Sequence, residues 1–146
     1  MDLDSAFKVF NFGVIVFWLL LVFAPRARFT ALAVHSPLVP VLYGLPYMVL
    51  LFGDSGGTSG DMTTLGGVVA LLSQPRIAFA GWVHYLIFDL FVGAWEARDA
   101  QRRGIPHLAL VPCLVLTLMF GPVGLLCYLG LRFAMKRVAP LAETPA

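Results

Sequence analysis

Four apolar runs constrain this chain more than any other feature. They cover residues 6–24, about 29–52, 77–95 and about 108–133. Each is long enough to cross a hydrocarbon core of about 30 Å, which takes about 20 helical residues. Lipid offers the backbone no hydrogen bonds, so only helices and closed barrels can span it. Barrel strands alternate apolar and polar residues, whereas these runs are continuous and therefore predict helices. Charged residues make up 12% of the 146, about half the share usual in soluble domains. With 60% hydrophobic residues and a mean hydropathy of +0.87, a soluble fold of this size would lack polar groups to cover its surface. The expected fold is all-α, an integral membrane bundle of four transmembrane helices forming one domain over 1–138, with a disordered tail at 139–146.

The connections refine that expectation. Pro37, Pro40 and Pro46 fall in the second run, so that span either starts late or is broken. Residues 62–72 are apolar but too few to cross, and predict a short interfacial or re-entrant helix in the second loop. Gly121-Pro122-Val123-Gly124 lies midway along the fourth run and predicts a kink, because proline removes a helical hydrogen bond. Cys113 and Cys127 share that run. A continuous helix separates them by about 21 Å, beyond disulfide reach, so they read as small packing residues. Gly93 with Ala97, and Gly130 with Ala134, have the spacing of close helix contacts.

Charge excludes some classes and leaves orientation open. Four spans put Lys8, Arg76, Arg132, Lys136 and Arg137 on one side and Arg26, Arg28, Arg98, Arg102 and Arg103 on the other. The positive-inside rule meets a tie. The formal charge of +2 comes from short clusters between apolar runs, with no basic and aromatic stripe for nucleic acid. No Cys or His spacing suits a metal. Gly53-Asp54-Ser55-Gly56-Gly57 repeats the string around a serine-protease nucleophile, but a triad is a geometry and not a string; the segment reads as a flexible surface loop. Met1-Asp2-Leu3-Asp4 has neither the basic start of a secretory signal nor the composition of a transit peptide, which points to a bacterial inner membrane.

The third run carries the polar residues that matter. Asp89 lies near its middle, where an acid costs about 2.5–3.5 kcal/mol on insertion scales. It should therefore face protein or a cavity. Tyr85, Asp89 and Glu96 fall on one helical face with Asp99 close by, and His84 points about 140° away from Asp89. Two assignments stay open. Asp89 bonds a group across the bundle while Glu96, Arg98 and Asp99 form the solvated helix end; or Asp89 is a buried acid, with His84 as a second titrating group. His35 and His107 read as interfacial or capping residues. The tryptophans, tyrosines and phenylalanines serve either as belt and core packing or as the walls of a groove for a flat apolar ligand.

From residue 80 to 131 the strings are long and unusual. Gly81-Trp82-Val83-His84-Tyr85 runs into Phe88-Asp89-Leu90-Phe91-Val92-Gly93; Asp99, Gly104-Ile105-Pro106 and Pro112-Cys113 follow, then Leu116 to Pro122 and Gly124-Leu125-Leu126. This region strongly resembles the abscisic-acid-deficient-four-like family, the neoxanthin-synthase-related membrane proteins of plants. The resemblance implies a four-helix membrane protein tied to xanthophyll metabolism, where an epoxide of violaxanthin opens to the allene of neoxanthin. That isomerisation needs an acid and a base but no redox cofactor; the only bound molecule it implies is a carotenoid. On this reading Asp89 and His84 are the catalytic candidates, and Trp82, Tyr85, Phe88, Glu96, Asp99 and Phe120 the substrate-binding ones. The expected partners are the bilayer, a carotenoid or other isoprenoid, and a homo-oligomer or pigment–protein complex. The alternative is a non-catalytic carotenoid-binding or assembly subunit.

Overall fold

A computed structural model of the protein describes residues 2–53, 60–137, 139 and 141. Seven helices and no strand form among the described residues: α1 (Leu3–Phe23), α2 (Arg28–Ala33), α3 (Leu38–Phe52), α4 (Leu65–Leu72), α5 (Pro75–Arg102), α6 (His107–Phe120) and α7 (Pro122–Lys136). Three stretches among them are long and apolar enough to cross a membrane, namely Leu3–Phe23, Arg28–Phe52 and Pro75–Arg102. The chain is an all-helical membrane protein. Most of the expected tail, and residues 54–57 of the protease-like string, lie outside the described residues.

The chain divides into two compact units. One comprises residues 1–15 and 37–87, the other 16–36 and 88–146. In the first, aromatic packing joins α1, α3 and α5: Phe10 meets Tyr43 edge to face at 5.0 Å and Phe79 at 5.9 Å. The Tyr43 hydroxyl donates to the Phe10 carbonyl at 3.2 Å, satisfying a polar group that lipid would not. Arg76 donates to the Val49 carbonyl at 2.5 Å and so caps the end of α3. The second-loop helix exists as expected, as α4. Thr64 caps it by accepting from the Gly67 amide at 3.0 Å, and hydrogen bonds from Thr63 hold the Asp61 carboxyl beside it below its usual range.

The prolines act as expected at one place and not at another. The second run is broken between α2 and α3, where the Val34 and His35 amides both bond to the Thr30 carbonyl and Pro37 starts the next helix. The fourth run, expected as one kinked helix, is instead a hairpin. Gly121 takes φ 46° and ψ −98°, a conformation that side chains disfavour, and Pro122 then starts α7, where its fixed φ suits a first turn. The helices pack side by side, and Gly124 lies so close to Thr117 that a Cβ there would overlap it. The cysteines expected about 21 Å apart have their sulfurs at 3.5 Å. Neither arm, at 14 and 15 residues, reaches across a core of about 30 Å.

Gly124→Val is expected to open this hairpin. Its cost should reach the upper range for overpacking, about 3 kcal/mol or more, and appear as a lower unfolding midpoint of the purified protein in detergent, whereas Gly130→Val, at a position with nothing within 4 Å of its would-be Cβ, should leave the midpoint nearly unchanged.

Candidate functional site

Polar side chains of the second unit gather where α5 meets the hairpin. On α5, small residues follow one another at Gly93, Ala94, Ala97 and Ala100, and three of them, Ala94, Ala97 and Ala100, are at most 2% exposed. Trp18 presses onto Gly93, 2.6 Å from where a Cβ would sit. Facing α5, α6 buries Leu110, Cys113, Leu114 and Thr117, while α7 buries Gly124, Tyr128 and Arg132. Both sets follow helical spacing. The faces that fold inward carry a hydroxyl, a phenol and a guanidinium.

Three carboxyls of α5 receive these groups at successive levels. Asp89 is half-buried, its Oδ1 2.7 Å from where a Cβ on Gly121 would be. The acid midway along the span is thus turned toward the hairpin turn. Glu96 is fully buried, and Thr117 donates its hydroxyl to Oε1 at 3.0 Å. No cation pairs with Glu96 among the described residues. Asp99, also fully buried, accepts from Tyr128 at 2.7 Å and from Arg103 at 2.8 Å, and Arg132 Nε stands 3.1 Å from its Oδ2. Trp95 closes the cluster, edge to face with Tyr128 at 5.6 Å and beneath the Arg132 guanidinium at 5.9 Å.

The expected site residues thus separate into groups. Asp89, Glu96 and Asp99 face α6 and α7, and Glu96 and Asp99 are not the solvated helix end considered above, because the hairpin covers them. Phe88 and Phe120 are 55% and 59% exposed, each beside one half of the Asp89–Gly121 contact. In the first unit, Trp82 donates to Asn11 at 2.9 Å and lies against Phe7 and Tyr85, and the exposed His84 ring lies 5.9 Å from Tyr47. His35 accepts from the Arg98 side chain at 3.1 Å, and the His107 Nε2 proton goes to the Val22 carbonyl in the last turn of α1 at 2.7 Å, a capping contact.

Sequence reasoning missed Thr117, Tyr128 and Arg132. Four spans set Arg132 among the surface charges, yet it follows an apolar run and lies four residues after Tyr128, on the same face of a helix. The insertion cost that singled out Asp89 applies equally to an arginine at that place.

A family model described as ABA DEFICIENT 4-like matches residues 5–128. The protein ABA DEFICIENT 4, chloroplastic, of Arabidopsis thaliana is 26% identical over 133 residues, 86% of this chain. The chain spans only 59% of that relative's length. The relative's name places it in the chloroplast, which lends no support to the bacterial inner membrane expected from the N-terminal residues. No solved structure matches.

Asp99→Asn should destabilise the protein by about 3–5 kcal/mol, the size found when one partner of a buried ion pair is removed and the other stays charged. Adding Arg132→Met to that variant should recover part of the loss, because the unpaired guanidinium goes with it. Unfolding in detergent of the four members of this cycle measures the coupling; additive losses would show that the two residues do not interact.

Proposed function

The chain belongs to the ABA DEFICIENT 4-like family, and on that premise we propose that it serves carotenoid metabolism as an intramembrane isomerase of an epoxy-carotenoid or related isoprenoid. The observation that carries this reading is a half-buried carboxyl, Asp89, held at the hairpin turn, where the residues next in sequence to Asp89 and Gly121, Phe88 and Phe120, expose their aromatic rings. A long apolar substrate in the lipid can lie along such rings, and the acid is where a reacting oxygen can reach it.

One carboxyl suffices for the chemistry. Protonated Asp89 gives its proton to the epoxide oxygen as the C–O bond breaks, and a hydroxyl forms. The resulting carboxylate then takes a proton from the neighbouring carbon while those electrons form the new double bond. Substrate and product have the same atoms, Asp89 ends as it began, and no oxidant or reductant is consumed. General acid–base assistance of this kind contributes about 10²–10⁴-fold. Glu96 is enclosed with Thr117 about two turns further along α5. Asp99 is fully engaged by Tyr128, Arg103 and Arg132 and fixes the hairpin against α5 without touching substrate.

A second reading rests on a different feature. In the first unit an apolar groove of about 710 Å³ runs beside Phe10, Pro46, Met48 and Phe79. It favours a polyene held without turnover, in a binding or assembly subunit.

Incubation of membranes containing the protein with violaxanthin, followed by chromatography of the pigments, separates the two. The isomerase reading expects an isomeric product that Asp89→Asn reduces by about 10²-fold or more while the variant still inserts and unfolds like the parent. His84→Gln should retain turnover; its loss there would assign the base to the imidazole. Purified protein that carries a coloured polyene and yields no isomer would establish the second reading instead.

A further inference from the structure

Ten Lys and Arg residues divide unevenly between the two units. Lys8 and Arg76 belong to the first, and the other eight to the second. Of those eight, Arg132 is buried on Asp99. The rest gather at one end of the unit. Gln101 donates to the Pro25 carbonyl at 3.3 Å and His107 to that of Val22 at 2.7 Å, which ties the α1–α2 turn, with Arg26 and Arg28, to the place where α5 ends and α6 begins. The hairpin brings the end of α7 to the same place: the Lys136 ammonium lies 3.8 Å from where a Cβ on Gly104 would be. Arg26, Arg28, Arg102, Lys136 and Arg137 are exposed there. Of the carboxyls of this unit among the described residues, Asp99 pairs with Arg103 and lies 3.9 Å from Arg102, while Asp89 and Glu96 are half and fully buried, so no ion pair among the described residues joins a carboxyl to Arg26, Arg28, Lys136 or Arg137.

The same end holds a cavity of about 480 Å³ between the α1–α2 turn and the start of α6, lined by Pro25, Arg26, Gln101, Ile105, His107 and Leu110. It is open, part polar and part apolar, and has a guanidinium at its edge. Basic pockets between membrane helices on the cytoplasmic side take the head groups of anionic lipids.

We propose that this end of the second unit rests on an anionic lipid surface and that the cavity beside Arg26 receives the phosphate-bearing headgroup of an anionic lipid. The proposal depends on the reversal at Gly121. A fourth span would carry Lys136 and Arg137 to the opposite face from Arg26 and Arg28 and leave the charges tied. With three crossings and a hairpin that returns to its own side, the division becomes two against eight, and the positive-inside rule directs the basic end to the cytoplasm-facing leaflet, where anionic lipid attracts juxtamembrane cations.

Thermal unfolding of the purified full chain in detergent, titrated with phosphatidylglycerol, phosphatidylcholine or inorganic phosphate, tests the site. Phosphatidylglycerol should raise the midpoint at concentrations where phosphatidylcholine and phosphate do not. Arg26→Gln should raise the half-saturating concentration about fivefold, the effect of one basic residue at an anionic surface, and Arg26→Lys should restore most of it. An equal response to phosphatidylcholine, or an unchanged titration in Arg26→Gln, would overturn the lipid site, and a full response to phosphate alone would replace the lipid with the free anion. Sidedness is read separately. In a Cys113→Ser, Cys127→Ser background, Arg26→Cys and Lys136→Cys should both react with an impermeant maleimide from the same side of sealed vesicles; labelling from opposite sides would remove the shared basic end.

Discussion

Gly121 turns with a positive φ, and beyond it the chain runs back along α6 instead of continuing through the bilayer. Much of what distinguishes the second unit follows from that reversal. It lays Thr117, Tyr128 and Arg132 against α5 in the order in which Glu96 and Asp99 need partners. It also leaves no room for a side chain at Gly124 and puts Asp89 against the turn itself. In a continuous helix Tyr128 and Arg132 would lie about two turns or more beyond Gly121 on the far side, away from the end of α5.

The arrangement makes sense because of the cost of polar groups in an apolar medium. A buried ion pair adds little stability over apolar packing, but its loss leaves a charge that nothing solvates. Asp99 therefore works less as a source of stability than as a constraint on register. Only one alignment of α7 on α5 gives the carboxylate its phenol and guanidinium together, and slipping the hairpin by one residue strands both. Glu96, with a hydroxyl as its polar neighbour, and Asp89, half-buried at the turn, lie beyond that clamp toward the middle of α5. The clamp at Asp99 thereby fixes where Glu96 and Asp89 stand against the hairpin.

Composition and run length were enough to read the helices, the membrane and the short helix of the second loop, since those depend on hydrophobicity and length alone. The break between α2 and α3 was legible in Pro37 for the same local reason. The hairpin was not. Gly-Pro in the middle of an apolar run kinks one helix or ends it, and the choice rests on which neighbours the two arms find, a tertiary matter that neither residue encodes. A single span over this run separates Cys113 from Cys127, sets Arg132 at the surface and balances the charges. A single misjudged turn accounts for all three. Asp89 was legible as a buried acid because its insertion cost is independent of the topology; Glu96 and Asp99 could be seen on its face of the helix, but what covered them could not.

The sulfur atoms of Cys113 and Cys127 give the most direct measurement of the reversal. Treatment of the protein in membranes with mercuric ion or a short bifunctional thiol-reactive cross-linker, followed by proteolysis between the two residues, should leave the fragments joined, because the thiols lie 3.5 Å apart. Fragments that separate completely, with both cysteines modified singly, would mean a continuous fourth helix, and the packing of Thr117, Tyr128 and Arg132 on α5 would fall with the hairpin.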